Sequence, residues 1–143
     1  MFKILPAMIL SVSILFSTSL MAEPAKGLNM VVTSSDQQVQ MMAMVISTMA
    51  LKKHGKQVNL AFCGAAGELA LKTTETPTFL PAKKSPTMLL KGLIESGAKV
   101  QVCPLYLPNA GKTTDDLLPG ITVAKPPVMT GELLDQDFQN LSF

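Results

Sequence analysis

Apolar and polar positions along the chain fall into blocks that switch between two periods. Leu28 to Thr33 is a short, nearly continuous apolar run, the pattern of a buried strand. From Val39 the spacing becomes three and four, through Met42, Ala43, Ile46, Met49 and Ala50, and predicts a helix with that stripe facing the core. Ser35 and Gln38 form an S-x-x-Q capping-box signature at its start. Lys52, Lys53 and His54 suit the negative end of its dipole, and Gly55 supplies the stop. Val58 to Phe62 reads as a second strand and Ala65 to Lys72 as a short helical piece. Thr73 to Lys84, with Pro77 and Pro81, reads as a loop and a candidate lid. Ser85-Pro86-Thr87 then opens a second long helix, with Ser at the cap and Pro in the first turn. Met88, Leu89, Leu93 and Ile94 supply its apolar face, and Gly97 ends it. Lys99 to Cys103 is the third strand, and Pro104 to Pro119 a loop with helical turns. Ile121 to Ala124, Pro127 to Leu134 and Phe138 to Phe143 close the chain as strand, helix and strand.

Strands alternating with helices in this rhythm predict an α/β domain with a mainly parallel sheet covered on both faces. Right-handed crossovers then bring every strand's carboxyl end to one rim. Thr33-Ser34-Ser35, Cys63-Gly64-Ala65 and Cys103-Pro104 should share that rim, and the two cysteines should be neighbours if the second and third strands pair.

The first 22 residues change the picture of where the fold begins. Met1-Phe2-Lys3 is a short positive start, Ile4 to Leu20 is apolar, and Ser19-Leu20-Met21-Ala22 ends on a small residue. This is the layout of a cleaved secretory signal, giving a mature domain from residue 23 to 143 in the periplasm or secreted. Pro6 and the many serines, with no basic cluster at the far end, make the stretch poor as a permanent anchor. The remaining chain of about 120 residues suits one domain with one modest core.

Charge excludes more than it suggests. Removing Lys3 leaves 11 lysines against 10 acids, which argues for neither nucleic acid nor an anionic membrane as partner. The sequence contains no arginine, so bidentate grips on phosphate or carboxylate are missing. His54, the only histidine, is explained by its helix end, and Asp115 and Asp116 read as a loop or helix-start pair. Gly64-Ala65-Ala66-Gly67 lacks the Lys and Ser/Thr of a phosphate loop and reads as a tight turn. No cofactor motif and no clustered metal ligands stand out.

Chemistry therefore concentrates on Cys103 and Cys63, the only cysteines, each at the end of a predicted strand. Cys103 is either an inert buried thiol or a nucleophile, and a nucleophile must be a thiolate. If Pro104 starts a helical turn, Cys103 caps it and the helix amides favour the anion; Lys112 is the cation able to approach. Cys63 is open to three readings: a resolving partner thiol, a structural disulfide with Cys103, or a core residue. Adjacent strands lie about 4.8 Å apart, so a bridge is attainable in register. A bridge over this loop contributes roughly 4 kcal/mol in the chain-entropy model. Met41, Met42, Met44 and Met49 invite a Cu(I) reading, but Met42 and Met49 already belong to the predicted core stripe. Met41, Met44 and Val45 then form a second apolar side, the mark of a subunit interface.

The passage Gly97-Ala98-Lys99-Val100-Gln101-Val102-Cys103, then Asp115-Asp116-Leu117-Leu118-Pro119-Gly120-Ile121, resembles the DsrE/DsrF-like family of sulfur-relay proteins, as does the ending Asn140-Leu141-Ser142-Phe143. The resemblance implies a three-layer α/β/α fold, a five-stranded sheet in order 4-3-2-1-5, and assembly into homo-oligomers. It places Cys103 where relay members carry a persulfide. The prolines Pro104 and Pro108, and the export signal, depart from the relay pattern. The expectation is an exported sulfur carrier or thiol-chemistry protein acting through Cys103, with a partner protein thiol or a small sulfur donor. The alternatives are a non-catalytic binding or assembly module, and a periplasmic soft-metal binder.

Overall fold

A computed structural model describes residues 23–143. The segment read as a secretory signal, residues 1–22, lies outside the described residues. Five strands, β1 (Gly27–Val32), β2 (Gln57–Phe62), β3 (Lys99–Val102), β4 (Ile121–Val123) and β5 (Phe138–Ser142), form one sheet. All pairings are parallel and the order is β4-β3-β2-β1-β5, as the resemblance implies. Four α-helices connect them: α1 (Gln37–Lys52), α2 (Pro86–Glu95), α3 (Tyr106–Asn109) and α4 (Pro126–Leu134). Two 3-10 turns, Gly64–Ala70 and Thr114–Asp116, follow β2 and α3.

That strand order decides where the helices go. Right-handed crossovers that step from β1 to β4 in one direction all lie on one face, and the return from β4 to β5 must lie on the other. The side chains agree. Met30, Val32, Leu60, Phe62, Val100 and Val102 alternate onto one face, none more than 2% exposed. They meet Met44, Leu69, Leu90, Leu93 and Leu107 in a single core. Among the described residues the opposite face is covered by α4, so the third layer there is one helix thick.

The sequence-predicted caps hold for α2 and shift for α1. Ser85 accepts a hydrogen bond from the Met88 N–H, and Pro86 sits in the first turn. At α1 the cap is Asp36 rather than Ser35, its carboxylate accepting from Gln38 and Val39 N–H at 2.8 and 3.0 Å. An acid there also complements the helix dipole. The Thr73 to Lys84 segment is anchored near its start, where Thr74 Oγ1 donates to the Glu68 carbonyl at 2.6 Å and Thr76 Oγ1 accepts from the Thr87 N–H at 3.1 Å, and it is braced internally by a bridge from Phe79 to Lys84.

The inward face of α1 is rotated from the predicted one. Met41 and Met44 are 8% and 0% exposed, whereas Met42 and Met49 are 53% and 46% exposed. Two polar residues, Gln40 and Ser47, share the buried face and hid it from an apolar count. Each is satisfied locally, Gln40 Nε2 by the Ser34 carbonyl at 2.9 Å and Ser47 Oγ by the Ala43 carbonyl at 2.8 Å. Met41 and Met44 therefore pack the core, and Met42 and Met49 belong to an outer apolar face. On α2 likewise, Leu90 is fully buried and Met88 is 46% exposed.

α4 buries no residue and is held by polar contacts. Lys99, Asn59, Asn29 and Asn140 stand in one register row across β3, β2, β1 and β5. Asn59 Nδ2 donates to Asn29 Oδ1 at 2.8 Å, and Asn29 Nδ2 to Asn140 Oδ1 at 3.0 Å. Asn29 also donates to the Glu132 carbonyl at 2.5 Å, and Asn140 to that of Leu133 at 2.6 Å. Both carbonyls belong to the last turn, where that of Glu132 also accepts from the Asp135 N–H at 3.3 Å, so the sheet helps to cap α4. Lys99 pairs with the Glu132 carboxylate. Asn29→Ala is expected to lower stability by about 1–3 kcal/mol through the orphaned partners. Urea denaturation measures it, with exposed Gln139→Ala as a near-neutral control.

Candidate functional site

The parallel pairing of β2 with β3 sets Leu60 against Val100 and Phe62 against Val102. One step further, Cys63 and Cys103 face each other just past the strand ends. Both backbones are fixed there by the sheet: Cys63 N–H donates to the Val32 carbonyl at 2.9 Å, and Cys103 N–H to that of Phe62 at 2.8 Å. The two sulfurs are joined in a disulfide, with Cα atoms 5.0 Å apart. Of the three readings open for Cys63, the bridge is the one this structure holds. Both cysteines are half-buried, so neither is a core residue.

Different turns leave the two positions. Gly64, at φ +55°, adopts a conformation that side chains rarely take, and it swings the chain from Cys63 into the first 3-10 turn. After Cys103, Pro104 opens a β-turn in which the Tyr106 N–H donates to the Cys103 carbonyl at 3.0 Å. The expected helix cap at Cys103 is absent, because α3 begins at Tyr106 with Leu105 before it. Cys63, not Cys103, stands at a helical start, with no side-chain cap bond.

Beside the pair lies an open groove of about 520 Å³, walled by Gly64, Ala65, Leu105, Tyr106, Asn109 and Ala110. Among the described residues no charged side chain lines it. Leu105 is 73% exposed and offers an apolar lip. The charge of Lys112 is felt by Asp116, whose carboxyl lies below its ordinary value. The first cause there is a hydrogen bond from the Thr113 N–H. Asp115 and Asp116 thus serve the second 3-10 turn, which Thr113 and Asp116 close as a capping box. His54 lines a separate depression with Met49, Val45 and Lys56, at the amino-terminal side of the sheet.

Tyr106 was not singled out by sequence reasoning, and Gly67 was read only as part of a tight turn. A Cβ on Gly67 would lie 2.4 Å from the Tyr106 ring, so the glycine is the seat of that ring. The run of small residues after Cys63 was the available signal, since such runs mark close approaches. Burial, and behind it the charge of Glu68, raises the Tyr106 phenol above its ordinary value of 10.0.

Tyr106 is the only tyrosine, and tryptophan is absent, so its signals report the groove directly. A phenol raised in the fold favours the folded state while protonated; stability is retained below the unfolded value and declines as pH rises through the folded one. Ultraviolet titration is expected to place phenolate formation at higher pH in the folded protein than in urea. Gly67→Ala is expected to displace the ring, changing the tyrosine near-ultraviolet circular dichroism and costing about 1–3 kcal/mol.

A scan against protein-family models finds no match, and a search of curated proteins finds none. Solved structures do match. The structure is similar to the ychN protein from E. coli, with a TM-score of 0.66 and 13% identity over 82% of this chain and 99% of that one. It is also similar to MTH1491 from Methanobacterium thermoautotrophicum, a protein of unknown function, with a TM-score of 0.62 and 12% identity. That match covers 81% of this chain and 97% of the other. At such identities the likeness speaks for the fold. With its five parallel strands in the order β4-β3-β2-β1-β5, this chain has the DsrE-like fold.

Proposed function

We propose that the chain handles sulfane sulfur at Cys103, as a persulfide carrier or in thiol exchange, with Cys63 as its partner thiol. The observation that carries this reading is the meeting of the only two cysteines at the carboxyl ends of β2 and β3, beside an uncharged groove. The fold shared with ychN and the sequence resemblance support Cys103 as the accepting position. In the reduced protein the Cys103 thiolate attacks the outer sulfur of a donor, and the donor departs as a thiolate. An acceptor thiolate then attacks the outer sulfur of the Cys103 persulfide and regenerates the thiolate. While the bridge is closed neither sulfur can accept, so carriage belongs to the dithiol form.

A groove without charged lining recognises its partner by shape and apolar contact, and exposed Leu105 suits a partner protein that brings its own thiol. Self-association is part of the proposal, supported by the outward Met42 and Met49. So is export, supported by the composition of residues 1–22, to an oxidising compartment where a paired state is at home. The soft-metal reading loses ground because Met41 and Met44 fill the core.

Reduced Cys63→Ser protein, in which no internal bridge forms, is the cleanest test. Given polysulfide, it is expected to gain sulfur on Cys103, located by peptide mass mapping. Reduced Cys103→Ser is expected to gain far less on Cys63. No gain in Cys63→Ser sinks the carrier reading and leaves a binding or assembly module; equal gain in both variants sinks the assignment to Cys103.

A further inference from the structure

We propose that the cysteine pair also reduces the sulfur it receives: Cys63 discharges a Cys103 persulfide as hydrosulfide and closes the disulfide. This rests on Cys103 accepting sulfur, and adds a reaction that a lone carrier cysteine cannot perform. The ground for it is the fixed opposition of the two residues. Their Cα atoms are 5.0 Å apart, and each N–H is held by the neighbouring strand. Reduction of the bridge leaves both residues tethered by those backbone hydrogen bonds, with Cys63 Sγ next to Cys103 Sγ. The attack therefore needs no encounter with a second molecule, and such an arrangement gains greatly in effective concentration.

The step balances without a further reagent. The persulfide carries its proton on the outer sulfur. The Cys63 thiolate attacks Cys103 Sγ, the Cys63–Cys103 bond forms, and the bond from Cys103 Sγ to the outer sulfur breaks. The outer sulfur leaves with its proton and the electron pair of the broken bond as hydrosulfide. Two thiol sulfurs are oxidised to a disulfide, and one sulfane sulfur is reduced to sulfide. Hydrosulfide is the conjugate base of a stronger acid than an alkyl thiol, and thiol–disulfide exchange favours such a leaving group. In-line displacement requires the outer sulfur to point away from Cys63. The open groove walled by Leu105, Tyr106 and Ala110 leaves room for it. The disulfide form is the product of the turnover, and an external dithiol reductant resets it.

A single-turnover experiment separates this step from carriage. The fully reduced full-length mature protein, freed of reductant, is mixed with glutathione persulfide, which leaves glutathione when it passes its outer sulfur to a thiol. Released hydrosulfide is trapped with a bimane reagent, and the protein is followed by intact mass. Wild type is expected to release one hydrosulfide per chain above the Cys63→Ser background, together with the Cys63–Cys103 disulfide. Cys63→Ser is expected to retain a stable Cys103 persulfide, and Cys63→Ala provides the same arm should the serine variant fold poorly. In wild type the release phase is expected to be independent of protein concentration. A wild-type persulfide as long-lived as that of Cys63→Ser, with no excess hydrosulfide, overturns the reductive step and leaves carriage standing. A release rate that rises with protein concentration overturns the intramolecular step. Absence of any persulfide in Cys63→Ser fails the carrier reading itself, and this inference falls with it.

Discussion

The register between β2 and β3 is the constraint on which the site depends. Phe62 beside Val102 fixes everything one residue further on, including the opposition of Cys63 and Cys103. A slip of β3 by one residue against β2 would turn Val100 and Val102 away from the core they share with Leu60 and Phe62, and the sheet resists that strongly. The burial of four apolar side chains thus positions two sulfurs that contribute little to the core themselves. Hydrophobic packing sets the geometry of the chemistry from below.

The two faces of the sheet obey different rules. One is closed by apolar contact with α1, α2 and the turns after β2 and α3. The other carries a row of amides, and its helix is docked by hydrogen bonds to its own terminal carbonyls. The topology accounts for the difference. Three crossovers crowd one face, and a single short helix with no buried residue must cover the other. A polar row is directional where an apolar one is not, so it also fixes where along β1 and β5 the helix ends.

Much of this architecture was legible in the sequence because it rests on local signals. The strands fell within a residue or two of the apolar runs, and Ser85-Pro86 marked the start of α2 as it stands. The phase of α1 was misread because Gln40 and Ser47 look like solvent-facing residues until their local acceptors are known. The asparagine row was visible only as single polar residues inside apolar strands, Leu28-Asn29-Met30 and Val58-Asn59-Leu60. Its meaning came from strand pairing, which periodicity does not contain. The same holds for Cys63 and Cys103, whose meeting depends on strand order. Tyr106 and Gly67 lay further out of reach, since a ring seated on a glycine is a contact between separate turns.

The bridge has a topological side as well. It joins residues 40 apart in sequence, so the chain from Cys63 to Cys103 is a covalent ring. That ring contains the first 3-10 turn, the irregular Thr73 to Lys84 segment and the whole of α2. A protease that nicks this segment opens the ring without parting the molecule. The pieces stay threaded through one sheet until a reductant reaches the sulfurs, so the redox state of the pair decides whether a cut in the backbone becomes a loss of the protein.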